Sequence, residues 1–229
     1  MADTKAGIGY GSVVELADAA TPTAYAYVGE VKSITPPSET TDTVDASHMQ
    51  SPNKTREFID GMTDPGEFSF DMNLVPGSTS DRLLMAAKGK RKVVRQTFAS
   101  GHQLIFIGIR SGYEKSVPLD DVMTATVTFK VSGEPTLTEA AAPRNIEAPV
   151  IVGVAKVGAP LTVDPGIWAG AMGVTFQWKA DATDIVGATG TTFIPLAENI
   201  GDVITCEVTG TNDAFDLAAV SAATTAVIA

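Results

Sequence analysis

The stretch Glu67-Phe68-Ser69-Phe70-Asp71-Met72-Asn73-Leu74 alternates one polar residue with one apolar residue along its whole length. Met123-Thr124-Ala125-Thr126-Val127-Thr128-Phe129-Lys130-Val131 does the same. In an extended chain successive side chains point to opposite faces, so each stretch reads as a half-buried strand, apolar on one side and wet on the other. Working outward, Tyr25–Ile34 and Val93–Phe98 are expected as strands. Gln103–Arg110 should pair with Val93–Phe98 through a turn holding Ser100-Gly101, and Gly112 is expected to open a further turn.

One helix interrupts this pattern. Pro76-Gly-Ser-Thr-Ser80 ends the strand before it, and Ser78 or Ser80 can cap it. Asp81 falls in the first turn, where the helix dipole favours a carboxylate. Leu83, Leu84 and Ala87 form its apolar face, Lys88 sits in the last turn, and Gly89 suits the position after the end. Pro36–Pro65 is different. It holds four prolines, many Ser, Thr and Asp, and scattered Val44, Met49, Phe58, Ile59 and Met62. It reads as a long loop that cannot fold alone, and that either binds something or is disordered by itself.

The 229 residues suit one large domain or two small ones, and 44% hydrophobic content excludes a disordered chain. A boundary is expected at Thr138-Glu-Ala-Ala-Ala-Pro-Arg-Asn-Ile-Glu-Ala-Pro149, which is small and polar. Charge shifts there: 13 basic against 18 acidic residues through Ala142, and 3 against 9 beyond it. The expected division is 1–140, a linker at 141–149, and 150–229. In the last part Val150, Val152 and Val154 alternate, as do Leu161 and Val163, then Val174, Phe176 and Trp178, then Ile204, Cys206 and Val208. Glycine-rich turns separate them, which fits a small β-sandwich.

Several function classes are disfavoured. A net charge of −11 repels phosphate, so sequence-specific nucleic-acid binding is not expected. The one cysteine, Cys206, excludes a disulfide within the chain and a four-cysteine metal site. Met1–Gly7 has no apolar segment behind its lysine, and no run approaches the roughly 18 apolar residues of a membrane span. A protein made in a reducing cytoplasm is therefore expected. His48 and His102 read as exposed rather than as ligands, no catalytic constellation is found, and no cofactor is expected. Gly7-Ile-Gly-Tyr-Gly-Ser12 departs from a dinucleotide fingerprint in spacing and context and reads as a terminal arm. Lys88, Lys90, Arg91, Lys92 and Arg95 form the one basic cluster. It reads as a phosphate contact, as a solvated helix end, or as a contact with another copy, since Glu15 to Asp71 hold 11 acids against 3 bases.

The order of elements around Val28-Gly-Glu-Val-Lys-Ser-Ile-Thr-Pro36, Gly66–Val75, Ser80–Lys88, Val93–Arg110 and Met123–Val131 with Ser-Gly-Glu-Pro135 resembles the major tail tube proteins of lambda-type, long-tailed, non-contractile bacteriophages. The resemblance spans about Gly7 to Ala140. The last part resembles bacterial and phage immunoglobulin-like domains in Gly166-Ile-Trp168, Phe176-Gln-Trp178, Ile185–Gly190 and Gly201–Asn212. There Trp178 and Cys206 would form the usual core pair, with Leu161 or Val163 in place of the second cysteine.

The fold class implied is mainly β: a tail-tube sandwich or barrel with one short helix and a long loop, then an immunoglobulin-like sandwich. The resemblance implies a virion protein, synthesised in the host cytoplasm, that forms six-membered rings stacked into a tube through which DNA passes unbound. Tape-measure, tail-tip and tail-terminator proteins would be its partners. Glu67, Ser69, Asp71, Asn73, Thr124, Thr126 and Thr128 are candidates to line the lumen, unless that face meets outer solvent. Phe58, Ile59 and Met62 would anchor the loop on a neighbour, and the basic cluster would join stacked rings. The last domain would project outward and touch host-surface glycans weakly. The alternative is a cell-surface or carbohydrate-binding β-protein carrying the same module.

Overall fold

A computed structural model describes residues 9–229. The first residues of the expected front domain, with Gly7 and Ile8 of the glycine-rich stretch, lie outside the described residues. By packing, the chain divides into two units. One comprises Val14–Arg95 with Leu104–Leu137; the other comprises Thr138–Ala229 with Gln96–Gln103 and the described residues up to Val13.

The first unit is built on β1 (Val13–Asp18), β2 (Thr21–Val28), β3 (Val31–Thr35), β4 (Thr40–Asp45), β5 (Phe58–Asp64), β6 (Glu67–Asn73), α1 (Thr79–Ala86), β7 (Arg91–Thr97), β8 (Gln103–Ser116) and β9 (Thr124–Thr138). Seven strands form one sheet in the order β2-β1-β7-β8-β9-β6-β3. Its two edge strands, β2 and β3, are consecutive in sequence, with only Gly29 and Glu30 between them. In a flat sheet those edges would lie about 29 Å apart, while two residues reach at most about 10 Å. The sheet must therefore fold back on itself, and its inner face encloses Val14, Leu16, Val28, Phe68, Phe70, Met72, Phe106, Val127 and Phe129.

Three expectations change here. Tyr25–Ile34 is not one strand, because the chain reverses at Gly29-Glu30, where Glu30 takes φ +65°. Gly112 opens no turn, because β8 continues to Ser116. A Cβ at Gly112 would stand 3.3 Å from the Thr128 Cβ, so the glycine permits close approach of two strands. Pro36–Pro65 is not an irregular loop. Its β4 and β5 pair as an antiparallel ribbon, with Thr41 opposite Thr63, Val44 opposite Ile59 and Asp45 opposite Phe58. This arm extends the β3–β6 hairpin. At its root Gly66 has φ +79°, and a Cβ there would collide with the Ser38 carbonyl.

Helix α1 is capped by Ser78, whose Oγ accepts the Asp81 N–H at 3.2 Å. Ser80 instead accepts the Gly29 N–H at 2.9 Å. Leu84 and Ala87 are fully buried. Asp81 pins the helix start to β8: its carboxylate accepts Lys115 Nζ at 2.6 Å, Tyr113 Oη at 2.7 Å and the Gly77 N–H at 2.9 Å. The Lys115 bond, then the Gly77 N–H, then the Tyr113 hydroxyl hold the acid down to about 2. Burial first, then the hydrogen bond to Asp81 and its charge, push the Tyr113 hydroxyl far above its usual range.

The second unit holds β10 (Arg144–Glu147), β11 (Val150–Val152), β12 (Leu161–Asp164), β13 (Ile167–Ala169), β14 (Gly173–Ala180), β15 (Thr183–Asp184), β16 (Thr192–Phe193), β17 (Ile204–Thr211) and β18 (Asp216–Val220). Its sheets run β10-β13, β11-β12-β16 and β15-β14-β17-β18. Within the stretch expected as a linker, Arg144–Glu147 is a strand paired with Ile167–Ala169. In β11 the inward residue is Ile151, while Val150 and Val152 are exposed. Trp178 and Cys206 face each other across β14 and β17, both without solvent exposure, and Leu161 and Val163 pack in the same core. Trp178 Nε1 donates to the Gly190 carbonyl at 2.8 Å. Burial raises the Cys206 thiol to about 11.

Two outcomes test these contacts. Because the folded Asp81 acid lies below its ordinary 3.8, its ionised form stabilises the fold above that value, and the contribution fades as pH falls toward about 2. Asp81→Asn should therefore lower the urea midpoint at neutral pH, and the gap to wild type should narrow on acidification. Iodoacetamide at mildly alkaline pH should leave Cys206 intact in the folded chain and alkylate it after denaturation.

Candidate functional surfaces

Strands β6 and β9 pair antiparallel with Glu67 opposite Lys130, Ser69 opposite Thr128, Asp71 opposite Thr126 and Asn73 opposite Thr124. This register brings all seven polar residues expected at a lumen onto one face. The other face of the same strands is Phe68, Phe70, Met72, Ala125, Val127 and Phe129, all buried. Strand β3 extends the polar face, with Ser33 opposite Asp71 and Thr35 opposite Ser69. Glu67, Asp71 and Thr126 are exposed, and Ser69, Asn73, Thr124 and Thr128 are half-buried.

The face is internally bonded. Thr126 Oγ1 donates to Asp71 at 2.6 Å and Ser33 Oγ donates at 2.9 Å, so one carboxylate is held flat between two hydroxyls. These bonds, Thr126 first, hold its pKa below the ordinary carboxylate value. Asn73 Nδ2 donates to Glu30 at 3.0 Å. Lys130 Nζ sits 2.7 Å from both oxygens of Asp64. Ser33, Asp64 and Lys130 are additions to the sequence-based set. Lys130 shares the parity of Thr124, Thr126 and Thr128 and was legible there. Asp64 lies 66 residues from Lys130, beyond any periodic signal.

The arm presents Phe58 and Ile59 at 56% and 57% exposure and Met62 at 85%. All three are exposed within the described chain. The arm is held together by its ladder, by the Thr41–Thr63 hydroxyl pair at 2.8 Å, and at its tip by Ser51 Oγ donating to Glu57 at 2.6 Å. A lone two-stranded ribbon is marginally stable in water at best.

The basic cluster divides in two. Arg95 donates through Nε and Nη2 to both oxygens of Glu15, at 2.9 and 3.0 Å, and its guanidinium lies 3.6 Å from the Tyr25 ring centre. Glu15 is only 2% exposed. Lys92 reaches Asp18 at 3.2 Å. Lys88, Lys90 and Arg91 are exposed. Among the described residues no group of His, Cys, Asp and Glu could hold a metal ion, and no helix is long and apolar enough to cross a membrane.

Comparison with curated proteins gave no match. Among solved structures, the chain is similar to the tail of an empty gene transfer agent particle, at 12% identity over 58% of this chain and 100% of that one, TM-score 0.48. It is similar to the SPP1 tail tube, at 10% identity over 58% and 80%, TM-score 0.46. A third likeness is to the sheath/tube terminator of the extracellular contractile injection system PVC, at 10% identity over 60% and 100%, TM-score 0.47. The family model described as lambda phage tail tube protein matches residues 10–138, more than half of the chain and the whole of the seven-stranded sheet with its arm. The chain thus belongs to the lambda phage tail tube protein family, and it is a structural protein of the virion tail rather than an enzyme.

Proposed function

We propose that copies of this chain close into six-membered rings, that the rings stack into a hollow tube, and that viral DNA passes through the bore on its way into the host. The observation that carries this reading is the polar face of β3, β6 and β9 on a sheet whose edge strands β2 and β3 have no further partner strand among the described residues. Unpaired edges invite pairing with other chains, and ring closure removes them. A bore lined by Glu67, Ser69, Asp71, Asn73, Thr124, Thr126 and Thr128 repels the phosphate backbone. Two of its hydroxyls, Thr126 and Ser33, are withheld from phosphate because they already donate to Asp71. Of the cations at this face, Lys130 is paired with Asp64, and Lys32 on β3 lies near enough to Asp71 to help hold its pKa down.

The arm completes the assembly by laying Phe58, Ile59 and Met62 on a neighbouring copy, where their burial offsets the cost of ordering the ribbon. Lys88, Lys90 and Arg91 are the members of the basic cluster that remain available to join rings, while Lys92 and Arg95 are held within their own chain. Tape-measure, tail-tip and tail-terminator proteins would meet the tube at its ends. The second unit acts as an immunoglobulin-like module making weak contacts with host-surface glycans. Its paired Trp178 and Cys206 support that reading, and its single buried thiol suits folding in the host cytoplasm.

Electron microscopy of the purified full-length protein should show rings or tubes; dispersed monomers under all assembly conditions would refute the tube. In particles carrying Glu67→Lys with Asp71→Lys, tubes should form but DNA ejection should slow as phosphates bind the bore. Ejection at the normal rate would remove these residues from the lumen.

A further inference from the structure

Two surfaces of the first unit carry opposite charge. One is a groove at the root of the arm. Two cavities of about 350 and 360 Å³ share Glu39, Pro65, Glu134 and Pro135, and Pro37 and Leu104 extend the wall. Proline rings fix φ and leave no N–H, so this wall is stiff and poor in donors. Glu39 and Glu134 are exposed, and neither has a side-chain partner among the described residues. The other surface is the turn between α1 and β7. Lys88, Lys90 and Arg91 project from it, around Gly89 at φ +69°, with no side-chain hydrogen bond or ion pair among the described residues, although Lys90 lies near enough to Asp18 to help lower its pKa. Three neighbouring cations and the two carboxylates of a proline-walled groove are thus left without an ion pair in their own chain, although five other cations of the same unit find carboxylates.

We propose that the groove is the seat for the Lys88–Arg91 turn of a second copy of this chain. Glu39 and Glu134 then face Lys90 and Arg91, and the aliphatic stems of these cations lie along Pro37, Pro65 and Pro135. Turn and groove are different surfaces, so the contact is heterologous. Each copy offers its turn to the next and receives one from the last, which is the geometry that closes rings or propagates tubes. The inference rests on the tube reading and assigns both sides of one of its interfaces. It also explains why the arm root is walled by three prolines: a stiff acidic groove is preformed and loses little freedom when a basic turn enters it.

The test uses full-length wild type, Lys90→Glu/Arg91→Glu and Glu39→Lys/Glu134→Lys. Circular dichroism establishes that each is folded, and sedimentation with electron microscopy measures assembly. Each variant alone sets like charges together and should need a concentration at least about tenfold higher to assemble. An equimolar mixture should assemble as wild type does, because alternating copies then meet opposite charges at every contact. The neutral pair Glu39→Gln/Glu134→Gln should assemble with less sensitivity to salt than wild type. The pairing is overturned if either charge-reversed variant assembles as readily as wild type, or if the mixture does no better than its components. In that event wild-type tubes leave the tube reading standing. A wild type that forms neither rings nor tubes overturns both.

Discussion

The antiparallel register of β6 against β9 is the constraint on which the rest depends. With Asp71 opposite Thr126, every apolar side chain of the two strands enters the core and every polar one stays on the outer face. A slip of β6 by one residue would exchange its faces, burying Glu67 and Asp71 and exposing Phe68 and Phe70. That error would cost far more than any turn or cap could recover, so the register is strongly specified. It also creates the surface chemistry. Only in this register do Thr126 and Ser33 flank the Asp71 carboxylate and convert a row of separate polar residues into a bonded ladder.

Closure of the sheet adds the second layer of order. The two-residue link between β2 and β3 brings the sheet's outermost strands to one corner and encloses a core that neither half could bury alone. On the outer side of β1 and β7, a Glu15–Arg95 pair replaces a hydrophobic contact. Such a pair gains through two charge-assisted hydrogen bonds and loses through desolvation, so its clearest effect is to set how β1, β2 and β7 align. The more exposed Lys130–Asp64 pair contributes little stability but neutralises a charge on a face made mostly of carboxylates and hydroxyls.

The arm stands outside both layers. Its ladder satisfies the backbone between β4 and β5, yet most of its side chains stay in solvent. A ribbon of this kind gains its apolar burial from another surface, and that requirement links the folding of the chain to its association. The groove at its root and the basic turn after α1 have the same character, since each carries charge that its own chain does not balance.

The sequence by itself determined the local elements. Alternation marked β6 and β9, Ser78 and Asp81 marked α1, Ser100-Gly101 marked the β7–β8 turn, and the spacing around Trp178 and Cys206 marked the second core. All of these are encoded within a few residues, because side-chain direction and capping depend on near neighbours. The tertiary structure alone decided what depends on distant partners. It turned Pro36–Pro65 from a loop into a ribbon, divided Tyr25–Ile34 at Glu30, and carried β8 through Gly112. It made a strand of Arg144–Glu147, turned Ile151 rather than its flanking valines inward, and withdrew Lys92 and Arg95 from the free basic cluster. Strand pairing and ion pairing join residues tens of positions apart, and a one-dimensional period holds no information about which of them will meet.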